Sequence, residues 1–159
     1  MSDDRHPGDF DGVNVMYVDA MNVIGSRPDG WWRDRDAAIR RLADRLQALP
    51  GVTGAEVVLV VDGGPIGTLP DGRNGKILVR YARRRGRDAA DDRIIELLTD
   101  ELLTEPPPDR QRGACPDPAR GTSVVVTSDR LLRERAAGLG AGHVGPRVLL
   151  ATLDRLNPR

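Results

Sequence analysis

The sequence predicts an α/β fold of three layers, a mostly parallel central sheet flanked by helices on both faces, and three observations predict it. Short valine-rich apolar runs alternate with segments of helical spacing along the chain. Such runs read as strands buried on both faces, which a parallel sheet joined by right-handed helical crossovers requires. Three of the runs lead into an aspartate, Asp19, Asp62 and Asp129, beyond the strand carboxyl ends where sheets of this kind open their ligand crevice.

At 159 residues the chain has the length of one ordinary domain. A polar tail is expected over 1–11 and a single domain over 12–159. Val13 to Val18 forms the first buried strand, with Asp19 at its carboxyl end. Asp34 or Asp36 caps a helix carrying Ile39, Leu42, Leu46 and Leu49, which Pro50-Gly51 stops. Glu56 to Val61 is a second strand, followed by Asp62-Gly63-Gly64-Pro65, and Ile77 to Tyr81 is a weaker third. A basic run through Arg87 then leads to a helix from Ala89 to about Leu103, with Asp88 placed to cap it. Asp91, Ile95, Leu98 and Leu102 share one face of that helix, so a carboxylate is aimed inward. The prolines at 106–108, 116 and 118 make 105–121 a surface loop. Ser123 to Thr127 is a further strand ending in Ser128-Asp129, followed by a helix through Leu131, Leu132, Ala136 and Leu139. A short strand near His143-Val144 and a helix from Pro146 to Leu156 complete the chain.

Composition excludes several functions. Twenty-four basic and 24 acidic residues cancel, so any nucleic-acid affinity must come from local distribution of charge. Cys115 is the single cysteine, which rules out an intramolecular disulfide, and no apolar run approaches the ~18 residues of a membrane span. The polar N-terminal stretch lacks a signal-sequence pattern, so a cytoplasmic location without membrane association is expected. The only histidines, His6 and His143, leave histidine-based acid–base chemistry little to draw on.

The acids carry the chemistry. The fold brings Asp19, Asp91 and Asp129 to one sheet edge, with Asp92 and Asp62 beside them. Carboxylates so gathered repel unless a cation neutralises them. Oxygen ligands without cysteine or a histidine pair select Mg2+ or Mn2+ over zinc. Such an ion acidifies a water and stabilises charge building on a phosphodiester. Arg83, Arg84, Arg85 and Arg87, just before the acidic pair, and Arg130, just after Asp129, are the expected track for RNA phosphates. Ser128 reads either as a phosphate donor or as part of a helix cap. Trp31 and Trp32 read either as packing at the sheet edge or as platforms for unpaired bases.

Val18-Asp19-Ala20-Met21-Asn22-Val23-Ile24-Gly25 resembles the first-strand motif of NYN-domain ribonucleases, PIN-like proteins with a YacP-like bacterial branch. Ala90-Asp91-Asp92-Arg93-Ile94 resembles that family's helix-borne acidic pair, and Val126-Thr127-Ser128-Asp129 its later strand motif, in the same order. The resemblance implies a PIN-like fold and metal-dependent endonucleolytic hydrolysis of RNA, with Asp19, Asp91, Asp92 and Asp129 as catalytic metal ligands. Asn22 would position Asp19 or the phosphate, while Asp62, Ser128 and Asp88 would line the site. Some relatives carry a further acid where this chain has Arg133, which leaves one or two metals open. The substrate would be mRNA, tRNA or rRNA, with the ribosome as one setting; a homodimer is among the states the sequence allows. A haloacid-dehalogenase reading fails because Met21 stands where a second aspartate is needed, and a receiver-domain reading because Lys76 lies too early. The remaining alternative is a catalytically weak or inactive PIN-like protein that binds RNA or the ribosome.

Overall fold

The computed structural model describes residues 13–27, 30–63, 66–82, 89–104 and 122–156. The tail 1–11, the basic run Arg83, Arg84, Arg85 and Arg87 with Asp88, and the stretch 105–121 lie outside the described residues. The elements run β1 (Val13–Asp19), α1 (Ala20–Gly25), a 3-10 turn (Trp31–Arg33), α2 (Arg35–Leu46) and α3 (Leu49–Thr53). They continue with β2 (Glu56–Val61), β3 (Gly72–Asn74), β4 (Ile77–Tyr81), α4 (Ala89–Thr104), β5 (Thr122–Val126), α5 (Arg130–Gly138), β6 (Gly142–Val144) and α6 (Pro146–Leu156).

The strands form one six-stranded sheet in the order β3-β4-β2-β1-β5-β6, parallel except for the β3–β4 pair. From β1 the chain builds outward through β2 and β4, then returns to the other side of β1 as β5 and β6. Parallel neighbours on both sides of β1 therefore diverge beyond its carboxyl end, and a crevice opens at that switch point.

Alternation along each strand divides the core in two. Met16, Val18, Val57, Leu59, Val61, Val124 and Val126 pack with α1, α2, α3 and α6. Tyr17, Val58, Val60 and Val125 pack on the other face with Ala90, Ile94 and Leu98 of α4 and Leu132 and Ala136 of α5. The three layers and the mostly parallel sheet expected from the sequence are present. Both faces are covered, so β1, β2 and β5 are buried along nearly their whole length.

Local details depart from expectation. Pro50 does not stop the long helix, which ends at Leu46 because Pro50 opens the separate short helix α3; proline is tolerated in a first turn, where its missing N–H would bond nothing. On α4 the inward stripe is Ala90, Asp91, Ile94 and Leu98, and Ile95 is only half-buried. Two elements are too short to show a period: α1 is six residues long, and β3 is three residues with no apolar side chain. The β3–β4 turn is sealed from outside: Gln47 donates to the Asn74 carbonyl at 2.8 Å and accepts from the Lys76 amide at 2.6 Å. Gly75 adopts φ +63°, a conformation that favours glycine, and a Cβ there would push the Gln47 side-chain amide out of this seal.

Candidate active site at the carboxyl edge of the sheet

β1 places Asp19 at the switch point, where the side chain is only 6 % exposed. Parallel register aligns Val18 with Val126, so the next residues, Asp19 and Thr127, become neighbours across the strands. The fully buried Thr127 hydroxyl donates to Asp19 Oδ2 at 3.4 Å and accepts from the Asp129 amide at 3.1 Å. A single threonine therefore ties the acid of β1 to the backbone that carries the acid after β5.

A second tie runs beside it. Asn22 Oδ1, on α1, accepts both the backbone amide and the hydroxyl of Ser128, each at 2.9 Å. Asn22 thus clamps the turn after β5 onto the turn after β1, and the Ser128 hydroxyl is engaged within the protein. Asp129 caps α5, its Oδ1 accepting from the Leu132 amide at 3.1 Å. Arg130 opens α5, exposed beside that cap.

The electrostatics of Asp19 are unusual for an aspartate. Burial raises its pKa from 3.8 to about 6; the Asn22 amide and Thr127 hydroxyl lower it, while the Asp62 and Asp129 carboxylates raise it. The Asn22 amide points toward Asp19 without completing a capping hydrogen bond. Among the described residues no arginine or lysine is one of its partners.

The other predicted acids are placed differently. Asp62 follows β2 and is held by Arg35 from the first turn of α2, whose guanidinium reaches both Oδ1 and the Asp62 carbonyl at 2.6 Å. Asp91, 8 % exposed, lies on the inward side of the first turn of α4, the helix packed across β1 and β2. Asp92 turns away: consecutive helical residues point about 100° apart, and Asp92 pairs with Arg135 of α5 at 3.1 Å. There it lines a groove of about 550 Å³ between α4 and α5.

Among the described residues no three acidic, histidine or cysteine side chains stand together at metal-ligand spacing. Magnesium does not require three, since it is commonly held by one or two carboxylates, with waters and substrate phosphates completing its shell. The carboxylate and hydroxyl groups around Asp19 offer oxygen, and like charges press on a buried carboxylate that has no cationic partner among the described residues. That chemistry fits a hard divalent ion.

Two residues that shape the site went unnoticed in the sequence. Thr127 looked like one more strand residue, although pairing it with Asp19 follows once β1 and β5 are taken as parallel neighbours. Arg35 carries no spacing signal that would join it to Asp62. The two tryptophans also part company: Trp31 is half-buried against the core, whereas Trp32 is 57 % exposed and edge-on to it.

No family model matches the chain, and no curated protein matches it in sequence. In three dimensions it is similar to Rae1 (YacP) from Bacillus subtilis. It superposes with a TM-score of 0.60 at 22% identity over 90% of this chain and 75% of that one. A point mutant of the same protein gives a TM-score of 0.64 at 21% identity over 90% and 76% of the two chains. The chain thus has the PIN-like fold of these proteins, as the three sequence motifs implied.

Proposed function

We propose that this chain is a metal-dependent endoribonuclease that hydrolyses RNA phosphodiester bonds at the crevice around Asp19. The observation that carries the reading is the buried Asp19 carboxylate at the switch point, with Asp129 and Asp62 near enough to raise its pKa and, among the described residues, no basic side chain bonded to it. The YacP-type fold and the three matching motifs support the same assignment. Asp19, Asp91 and Asp129 are the ligands we assign to Mg2+ or Mn2+; Asp92 joins them only by leaving Arg135.

When bound, the ion supplies Lewis acidity, lowering the pKa of a water and offsetting charge on the phosphate. The protein supplies position. Thr127 fixes one oxygen of Asp19, and Asn22 holds the Ser128 turn so that Asp129 keeps its distance from Asp19. Burial keeps competing water from Asp19 and strengthens its hold on a cation. Arg130 stands exposed where a phosphate would leave the crevice, and the arginines at 83–85 and 87 complete the proposed RNA track.

A second reading has its own observation: with Asp62 held by Arg35 and Asp92 by Arg135, the acids do not form a ready-made trio, which favours an RNA- or ribosome-binding protein of weak or no activity. Incubating the purified chain with total cellular RNA, with Mg2+, with Mn2+ and with chelator, and mapping new 5′ ends separates the two. Cleavage that appears only with metal and disappears in Asp19→Asn supports the nuclease. RNA retention without any new ends supports the binding protein.

A further inference from the structure

Only three large hydrophobic side chains are more than half exposed among the described residues: Trp32 at 57 %, Val52 at 58 % and Leu131 at 60 %. Val52 sits on α3, which leads into the amino end of β2, far from the crevice. The other two flank the crevice. Leu131 is in the first turn of α5, next to the Asp129 cap, on the β5 side of Asp19. Trp32 lies three residues before Arg35, whose guanidinium grips Asp62 at the carboxyl end of β2, on the opposite side of Asp19.

Trp32 is also held in one attitude. Trp31, packed on the core, meets it edge to face, with ring centroids 6.0 Å apart and planes at 83°. Gly30, in the left-handed region at φ 85°, starts the 3-10 turn, and Asp34 ends it by accepting the Ala37 amide at 3.1 Å. An indole so propped and bare to solvent offers a flat face on which a nucleobase can stack. Each apolar residue has an exposed arginine as its chain neighbour, Arg33 after Trp32 and Arg130 before Leu131. An exposed aromatic ring with an arginine adjoining it in the chain suits a base and its phosphate; an apolar protein surface would leave both arginines without a partner.

We infer that Trp32 is a stacking platform for an unpaired nucleobase flanking the scissile phosphate, so that the crevice takes single-stranded RNA in preference to duplex. The inference rests on the nuclease reading for its substrate, yet it concerns a residue outside the acidic centre. In a duplex the base faces are buried in the stack and cannot reach the indole; an unpaired strand can splay one base outward.

The chain has two tryptophans, so its fluorescence reports on this turn directly. The test titrates a single-stranded oligouridylate, the same length of abasic strand and a matched duplex into the whole chain in chelator, where metal-dependent cleavage is silent. Quenching by the oligouridylate alone is expected. Trp32→Phe should lose most of the quench while labelled-RNA anisotropy shows affinity retained, and Trp32→Ala should bind roughly five- to a hundredfold more weakly. With metal restored, Trp32→Ala should raise KM and leave kcat near wild type, the pattern of a binding contact.

Unchanged RNA affinity in Trp32→Ala, or equal quenching by abasic strand and duplex, overturns the inference and assigns the indole to a protein contact. Quenching and weakened Trp32→Ala binding without metal-dependent cleavage keep this inference and remove the nuclease reading. Metal-dependent cleavage with wild-type KM in Trp32→Ala does the reverse.

Discussion

Two aspartates of this chain live under opposite electrostatic conditions. Asp154 on α6 is half-exposed and is met by Arg27 at 2.8 Å and Arg45 at 2.5 Å, so hydrogen bonds from these two guanidiniums lower its pKa. Asp19 is buried, hydrogen-bonded to a neutral threonine, and its pKa rises to about 6. Among the described residues a counter-charge meets one acid and not the other. A buried carboxylate in that position is where the proposed metal ion would bring the missing charge.

Asp19→Asn tests the contrast hardest. Cleavage should fall on the order of a thousandfold, corresponding to several kcal/mol of lost transition-state stabilisation. Stability at pH 7.5 should meanwhile rise by up to about 3 kcal/mol, because the amide escapes the burial penalty behind the pKa shift. Parallel rate assays and urea denaturation would show activity and stability moving in opposite directions; a variant both inactive and less stable would make Asp19 an ordinary structural acid.

The next effect is in pH and metal. Below pH 3.8 Asp19 is protonated in both folded and unfolded chains; as pH rises from 3.8 to about 6 only the unfolded chain readily ionises, so stability falls across that window and levels off above it. Denaturation curves between pH 3.5 and 7.5 should show this slope in wild type and a flatter one in Asp19→Asn. Mg2+ at a hundredfold over its Kd should return about 2.7 kcal/mol at pH 7.5. A comparable metal-induced rise in Tm for Asp19→Asn would break the comparison.

Smaller effects should mark the supports. Asn22→Ala removes both bonds to the Ser128 turn, and because Ser128 is exposed water can replace them, at a stability cost of about 1 kcal/mol. Cleavage should fall about tenfold, since Asp129 loses its register with Asp19; a kcat assay beside a thermal melt checks the mismatch. Asp154→Asn should cost less than about 1 kcal/mol, diminish further at high salt and leave cleavage untouched, because solvent screens its ion pairs.

Most of this architecture was legible because burial writes itself into the valine runs: β2 and α6 fall on the residues expected, Glu56–Val61 and Pro146–Leu156. What was hidden had no apolar period. β3 has a single partner strand and includes no buried residue, and the break between α2 and α3 falls inside a leucine series, Leu42, Leu46 and Leu49, that stays buried on both sides of it. At the site, Asp19 and Asp129 could be read from their places after strands, and Asn22 from the motif. The side chains that set their environment could not. Thr127 and Arg35 act through contacts made only after folding, with partners 108 and 27 residues away.

The Asn22–Ser128 clamp joins residues 106 positions apart. During synthesis the first strand emerges long before its neighbour β5 exists, so an unfinished chain holds Asp19 without Thr127 or Asp129 beside it. Such a fragment has neither half of the clamp closed. On the proposed nuclease reading, cleavage would be withheld from nascent chains by topology alone and would arrive in one late step when the far strand docks.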